Sequence, residues 1–172
     1  MKLLHEYDFS NTDDWTGAPD GVVFPELHQF YADWRHRSGQ LCSNPIATDY
    51  DRLLLEFTHM TAINQQPEVL SPAINMQVAL GDIAVRFAAS DTVIQLVQAD
   101  TVLAEHRQIS HIAMHYAYSL VVEGNIATLY RENEPLLKAT VRHPDKELTI
   151  SITWNESGLP NRLFDIRLYG AN

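Results

Sequence analysis

Apolar side chains recur at every second position over much of this chain, and this alternation limits the fold more than any other feature. A period of two places alternate side chains on one face of a β-strand, so each such segment buries one face and leaves the other to solvent. The pattern therefore predicts strands rather than helices. It runs through residues 52–59, 73–80, 83–87, 112–122, 148–154 and 164–168, and in the last of these Phe164, Ile166 and Leu168 are expected to share a face.

Short turn sequences separate these segments. Gly81-Asp82 and Glu123-Gly124-Asn125 each stand between two alternating runs, which predicts tight hairpins. Strands at intervals of about 8 to 12 residues are typical of antiparallel sandwiches and barrels. Residues 101–110 alone are interpreted as a short helical turn. We therefore predict that residues 1–172 form one all-β domain, an antiparallel sandwich of two sheets.

Charge and composition exclude several classes of partner. The chain of 172 residues has 22 acidic against 12 basic residues, a formal net charge of −10. Nucleic-acid binding needs clustered positive charge, so we expect no nucleic-acid partner, and anionic membranes are disfavoured for the same reason. The single cysteine, Cys42, has no disulfide partner and no zinc motif. No apolar stretch reaches the length of a signal peptide or membrane helix, so we expect a cytoplasmic protein.

The outer face of a sandwich sheet can be an inert surface or a binding surface. Asn75, Gln77 and Arg86 are amides and a guanidinium on strand positions where Lys and Glu would be the usual solvated choice. These groups predict a ligand-binding face. A solvated sheet exterior is the alternative that the same residues allow.

Three segments resemble the concanavalin A-like lectin and glucanase superfamily, a group of jelly-roll β-sandwiches. They are residues 118–130, which turn at Gly124-Asn125, the closing run 163–170, and the opening Tyr7-Asp8-Phe9-Ser10 with Asp14-Trp15. The resemblance implies a curved sandwich whose concave sheet often holds sugars. The superfamily contains lectins, polysaccharide hydrolases and lyases, and protein-binding domains.

The glucanase signature Glu-x-Asp-x-x-Glu is not present in this sequence. Glu6-Tyr7-Asp8 is the nearest match, and the final glutamate is missing. A glycoside hydrolase or polysaccharide lyase-like activity therefore stays open, without assigned catalytic residues.

An aromatic and basic segment stands out against the acidic background. Trp34 could stack on a pyranose ring while Arg35 or Arg37 donates to a hydroxyl or to the carboxylate of an acidic sugar. The alternative is that Trp34 fills one end of the sandwich and the arginines pair with nearby acids.

Two histidines are candidates for hydrogen-bonding or acid/base roles. His59 and His115 lie in predicted strands, and imidazole titrates near neutral pH. The alternative places them as polar residues on a partly solvated face. His111 and His115 share a face but are about 13 Å apart along a strand, too far to chelate one ion.

The resemblance also implies Ca²⁺ bound between the first and last strands, with Asp165 where a ligating aspartate often stands. Hard cations take several oxygen ligands, which an acidic chain can supply.

Together these observations predict a carbohydrate-binding or carbohydrate-processing jelly roll whose partner is a small saccharide or oligosaccharide on the concave sheet. The alternative is a protein-interaction or homo-oligomeric scaffold of the same fold, which an exposed face of Val93, Val97 and Val121 would favour. The predicted ligand-binding residues are Trp34, Arg35, Arg37, Asn75, Gln77, Arg86, His59 and His115.

Overall fold

The computed structural model describes residues 1–17, 22–33, 36–61, 74–88, 92–108, 115–155 and 161–172. One 3-10 turn occupies Pro25–Leu27. The strands are β1 Lys2–Tyr7, β2 Trp15–Thr16, β3 Val23–Phe24, β4 Gln29–Ala32, β5 Gly39–Ser43, β6 Ile46–Ala47, β7 Arg52–Thr61, β8 Ile74–Leu80, β9 Ile83–Ala88, β10 Val93–Gln98, β11 Thr101–Arg107, β12 His115–Glu123, β13 Ile126–Arg131, β14 Glu134–Thr140, β15 Glu147–Leu148, β16 Ile150–Trp154 and β17 Asn161–Ala171.

The strands form two large antiparallel sheets. The eight-stranded sheet has the order β14-β13-β12-β7-β17-β4-β3, and β1 pairs with β17. The seven-stranded sheet has the order β11-β10-β9-β8-β16-β5-β2, and β15 pairs with β6 in a small ladder. The predicted all-β, two-sheet antiparallel sandwich is confirmed. Both predicted hairpins join neighbouring strands, at Gly81-Asp82 and within Glu123-Gly124-Asn125, where Glu123 is the last residue of β12 and the turn is Gly124-Asn125.

The long strand β17 ties the eight-stranded sheet together. One of its edges pairs with β7 over nearly its whole length. Its other edge pairs first with β4, through residues 161–163, and then with β1, through residues 166–170. Segments from both ends of the described chain therefore meet at the same strand.

The core lies between the two sheets and follows the predicted alternation. Leu53, Leu55 and Phe57 of β7 point inward, as do Val78 of β8 and Val85 of β9. Every second side chain on these strands consequently points away from the core, and the outer faces of the sheets are built from those positions. The described part of the chain has no helix whose length and apolar character would let it cross a membrane.

Two predictions about the strands are wrong. Residues 101–107, expected to make a helical turn, form the edge strand β11. The expected shared face of Phe164, Ile166 and Leu168 is broken, because Asp165 and Ile166 together stand opposite Phe57 in a β-bulge between Phe164 and Arg167.

The bulge changes which side chains of β17 enter the core. Asp165 has a positive φ of 43° and is exposed, so it takes up the extra residue of the strand. Ile166 and Leu168 are fully buried, whereas Phe164 lies on the outer face and stacks against His115 with 5.5 Å between ring centres.

Candidate functional site

A line of polar side chains crosses the outer face of the seven-stranded sheet. Each member stands directly opposite the next on a neighbouring strand, from β5 through β16, β8, β9 and β10 to β11. The adjacent positions Val78, Val85 and Leu96 are buried in the core, which fixes this line on the opposite, outward face. We call it the polar row: Gln40, Thr153, Gln77, Arg86, Gln95 and Glu105.

Arg86 lies at the centre of the polar row and is held on two sides. Its Nε donates to Gln77 Oε1 at 2.9 Å, and its Nη2 donates to Asp100 Oδ1 at 3.1 Å. The Arg86 side chain is 11% exposed, while that of Asp100 is 94% exposed. The guanidinium plane is therefore fixed before any ligand arrives, and Asp100 contributes a carboxylate that remains in water.

The β11 end of the polar row is also fixed by hydrogen bonds. Gln95 Nε2 donates to Glu105 Oε2 at 2.8 Å, and Arg107 Nε donates to Glu105 Oε1 at 2.8 Å. The hydrogen bonds from Gln95 and then Arg107 lower the pKa of Glu105 below its ordinary value. Glu105 is consequently an anion and a hydrogen-bond acceptor at neutral pH.

Small side chains lie beside the polar row on the same outer face. Ala79, Ala84 and Val97 point away from the core between the sheets, yet they are buried and form a cluster of their own. Because two of the three residues are alanines, the side chains here project only a short distance from the sheet. Ala79, Ala84 and Val97 are only 4%, 2% and 1% exposed, so they form covered apolar contacts beside the polar row rather than a surface open to a ligand.

The structure confirms that Gln77 and Arg86 share an outer face and are in contact. Three predicted ligand-binding residues fall outside the described part of the structure: Trp34, Arg35 and the side chain of Asn75. Arg37 is exposed, and its carbonyl accepts a 2.8 Å hydrogen bond from Trp154 Nε1 at the end of β16. Ligand binding by these residues stays a prediction.

The expected partly solvated face is wrong for His59. It is 3% exposed and lies inside the sandwich, where it stacks on Phe87 with 4.0 Å between ring centres. Its Nε2 is 3.2 Å from Oδ1 of Asn161, which is also buried. His59 and Asn161 therefore form a polar contact inside the sandwich, and neither side chain lies on an outer face.

His115 is exposed, but on the outer face of the eight-stranded sheet, opposite Met60. The sandwich therefore separates it from Gln77 and Arg86. The predicted site residues do not form one site, because they occupy both outer faces and the interior.

A polar cluster that the sequence analysis missed lies next to the predicted Trp34–Arg37 segment. Tyr31 Oη donates to Asp33 Oδ2 at 2.8 Å, and His36 Nδ1 lies 3.1 Å from Asp33 Oδ1. Asp33 is buried, and Arg162 lies over the Tyr31 ring at 5.4 Å. The short spacing of Asp33 and His36 was the available signal, because three residues of irregular chain can fold back on themselves.

In the part of the chain that the structure describes, no Ca²⁺ site forms around Asp165. Asp165 is a single exposed carboxylate on the bulge. The pKa of the nearby Arg167 is raised by its hydrogen bond to Glu6 and, to a smaller extent, by the negative charge of Asp165. Ca²⁺ takes six to eight oxygen ligands. Among the described residues no group of three or more His, Cys, Asp or Glu side chains is arranged to hold a metal ion.

No family profile and no curated protein sequence matches the chain. Solved structures match it at low identity. The exoplasmic/lumenal domain of VIP36 in its Ca²⁺/Man3GlcNAc-bound form has a TM-score of 0.71 and 10% identity, covering 100% of this chain and 91% of that one. The carbohydrate-binding module CBM66 from Bacillus subtilis has a TM-score of 0.60 and 11% identity, covering 89% and 93%.

A sialidase also matches, with a TM-score of 0.68 and 9% identity over 98% of this chain. The chain spans 18% of the length of that sialidase. These similarities, together with the two-sheet topology, show that the chain has the concanavalin A-like jelly-roll fold.

Proposed function

From this fold, we propose that the chain binds a saccharide or oligosaccharide along the polar row. The observation that carries the proposal is the fixed arrangement of Gln77, Arg86 and Gln95 on adjacent strands. Sugar hydroxyls both donate and accept hydrogen bonds, and the amides of this row do the same. Because Gln77 and Arg86 are already bonded to each other, a ligand would not have to order them.

The length of the polar row favours an oligosaccharide. Six strands contribute to it, and neighbouring strands lie about 4.8 Å apart, so the row extends about 24 Å across the sheet. A single sugar ring would occupy only part of that length.

The similar structures support the same class of ligand. VIP36 was solved with Man3GlcNAc, CBM66 is named a carbohydrate-binding module, and a Crh5 transglycosylase of 10% identity and TM-score 0.64 was solved with NAG. These ligands belong to those proteins, and we extend only their chemical class to this chain.

The scaffold alternative has less support. Val93 and Val97 lie on the outer face of the seven-stranded sheet and Val121 on that of the eight-stranded sheet, so the three residues form no common face. Val97 is also buried. We propose that the chain is a binding domain and that it acts in the cytoplasm.

The experiment is calorimetric titration with neutral and acidic oligosaccharides, using Gln77→Ala and Arg86→Gln. Gln77→Ala removes an amide from the centre of the row, and Arg86→Gln replaces the charged guanidinium with a shorter neutral amide, so we expect each variant to bind about tenfold more weakly. Arg86→Gln leaves Asp100 in water rather than buried, so folding is expected to persist.

Lys138→Gln, on the exposed side of β14 in the other sheet, is the matched control and should bind as the wild type does. Equal affinity of all four proteins would contradict the polar row as the site. We further propose that this binding is independent of Ca²⁺, since Gln77, Arg86 and Gln95 offer hydrogen-bonding groups to sugar hydroxyls without a metal ion. EDTA should leave the affinity unchanged.

A further inference from the structure

A groove on the opposite side of the molecule is unconnected with the polar row. It lies on the outer face of the eight-stranded sheet, along β12, and encloses about 250 Å³. We call it the Tyr130 groove. Its walls and ends are formed by Tyr130 of β13, Glu56 and Arg52 of β7, and Asn133 of the β13–β14 turn.

The groove follows from the side chains that stand opposite one another. Tyr130 pairs with Ser119, and Ser119 pairs with Glu56, so two large side chains flank a small one across three strands. The outer strands are about 10 Å apart. The short Ser119 side chain leaves that space unfilled, and Val121 continues the floor along β12.

Most polar side chains of the groove are unpaired in the part of the chain that the structure describes. In the described part of the chain, no side-chain hydrogen bond or ion pair is found for Glu56, Ser119, Tyr130 or Asn133. This differs from the polar row, where Arg86 is already bonded to Gln77 and Gln95 is already bonded to Glu105. Arg52 has only a long contact of 3.9 Å with Glu123.

We propose that the Tyr130 groove is a second saccharide site, one that takes a single neutral sugar ring. A tyrosine ring offers an apolar face against which a sugar can pack. Glu56 accepts hydrogen bonds only and Arg52 donates only, whereas hydroxyls do both. An anionic ligand would be repelled by Glu56 and a cationic ligand by Arg52, so a neutral polyhydroxylated ring satisfies both ends.

The size of the groove supports one ring rather than a chain. Pockets for drug-sized ligands have volumes of about 300 to 1,000 Å³. The 250 Å³ of the groove lies just below that range. The chain would therefore bind sugar on both outer faces, with an extended ligand on one and a terminal or single unit on the other.

The test is an NMR titration of the ¹⁵N-labelled protein with mannose and, separately, N-acetylglucosamine. Binding at the groove should shift amides of β7, β12 and β13, with at least one of the two sugars. In Tyr130→Ala and in Glu56→Gln, the dissociation constant measured from these shifts should rise about tenfold. Thr128→Ala, two residues along the same face of β13, is the matched control and should respond like the wild type.

The titration separates this site from the polar row. Arg86→Gln should leave the shifts of β7, β12 and β13 unchanged, and a response there that depends on Arg86 would overturn the second site. Absence of the response with both sugars, or its persistence in both groove variants, would also overturn it. If the groove responds while Gln77→Ala and Arg86→Gln leave oligosaccharide binding intact, the proposed function fails and the second site stands.

Discussion

The two outer faces of the sandwich present polar side chains in different states. On the seven-stranded sheet, Gln77 holds the guanidinium of Arg86 and Gln95 holds the carboxylate of Glu105, both by hydrogen bonds within the polar row. On the eight-stranded sheet, Glu56 and Tyr130 face an open groove without such bonds. The first face is ordered before a ligand binds, and the second must be ordered by the ligand.

This difference has an energetic consequence. Ordering a long side chain on binding costs about 0.5 to 1.5 kcal/mol, and the polar row avoids that cost while the Tyr130 groove does not. We therefore expect the polar row to bind its ligand more tightly for each sugar unit. We expect that a substitution can change the stability of the fold without changing sugar binding on either face.

The largest effect is expected from deleting one residue of the bulge in β17. Deletion of Ile166 would draw Asp165 into the core position opposite Phe57, exchanging a fully buried aliphatic side chain for a carboxylate. We expect a loss of about 4 kcal/mol or more in the free energy of unfolding, measured by urea denaturation.

Deletion of Asp165 is the matched control for that change. It removes the extra residue and restores regular alternation, with Leu163 and Ile166 inward and Phe164 outward. Its cost should be at least threefold smaller. Equal losses for the two deletions would show that the bulge itself, rather than the side chain it excludes, stabilises the eight-stranded sheet.

The next effect concerns the core beneath both faces. His59→Ala removes the stacking on Phe87 and the contact with Asn161, and should cost about 2 to 4 kcal/mol in denaturant titration. His59→Gln retains a hydrogen-bonding group and should cost less. Sugar affinity of the folded fraction should change equally little on both faces, and a selective loss on one face would assign His59 to that site.

A smaller effect is expected at alkaline pH from the buried end of β1. Burial raises the pKa of Tyr7, the charge of Asp14 adds to the rise, and the hydrogen bond with Ser43 opposes it. Stability from the neutral phenol is fully present below the unfolded pKa of about 10 and is lost as pH rises through the higher folded pKa.

Tyr7→Phe removes this titration. The variant should lose about 1 kcal/mol or less at neutral pH and should show a weaker fall in stability above pH of about 10. The measurement is the urea midpoint of both proteins across that range. Parallel curves for the two proteins would contradict the assignment to Tyr7.

The smallest effect belongs to the polar row itself. Gln95→Ala removes the largest cause of the lowered pKa of Glu105, so that pKa should rise toward its ordinary value while stability hardly changes. Carboxyl ¹³C NMR titration measures it directly. An unchanged pKa would mean that Arg107 alone sets the charge of Glu105, and the row would be less tightly coupled than its hydrogen bonds indicate.

Much of the fold could be predicted from alternation alone. Strands β7, β8, β9, β12 and β16 all lie in segments where the apolar period is regular. Short strands such as β2 and β6 could not be found this way, because two residues show no period. The alternation in β10 was present in Ile94, Gln95 and Leu96, and following it would have added Gln95 to the predicted site.

The face of each site residue was harder to predict than its strand. Gln77 and Arg86 were placed on one outer face because a regular hairpin keeps their register. His59 was misplaced because a histidine in a strand gives no sign that a phenylalanine on the other sheet will cover it. Phe164 was misplaced because one residue with positive φ, Asp165, reverses the pattern without changing the composition.

The pairing of β1 with β17 also determines when, during synthesis of the chain, the eight-stranded sheet can be completed. The described partner of Lys2–Tyr7 is the strand that ends at Ala171, so β1 is synthesised long before its partner strand. Until β17 has been synthesised, β7 and β4 also lack the strand that joins them. The eight-stranded sheet can therefore be completed only after Asn161–Ala171 has been synthesised, through contacts between residues far apart in the sequence.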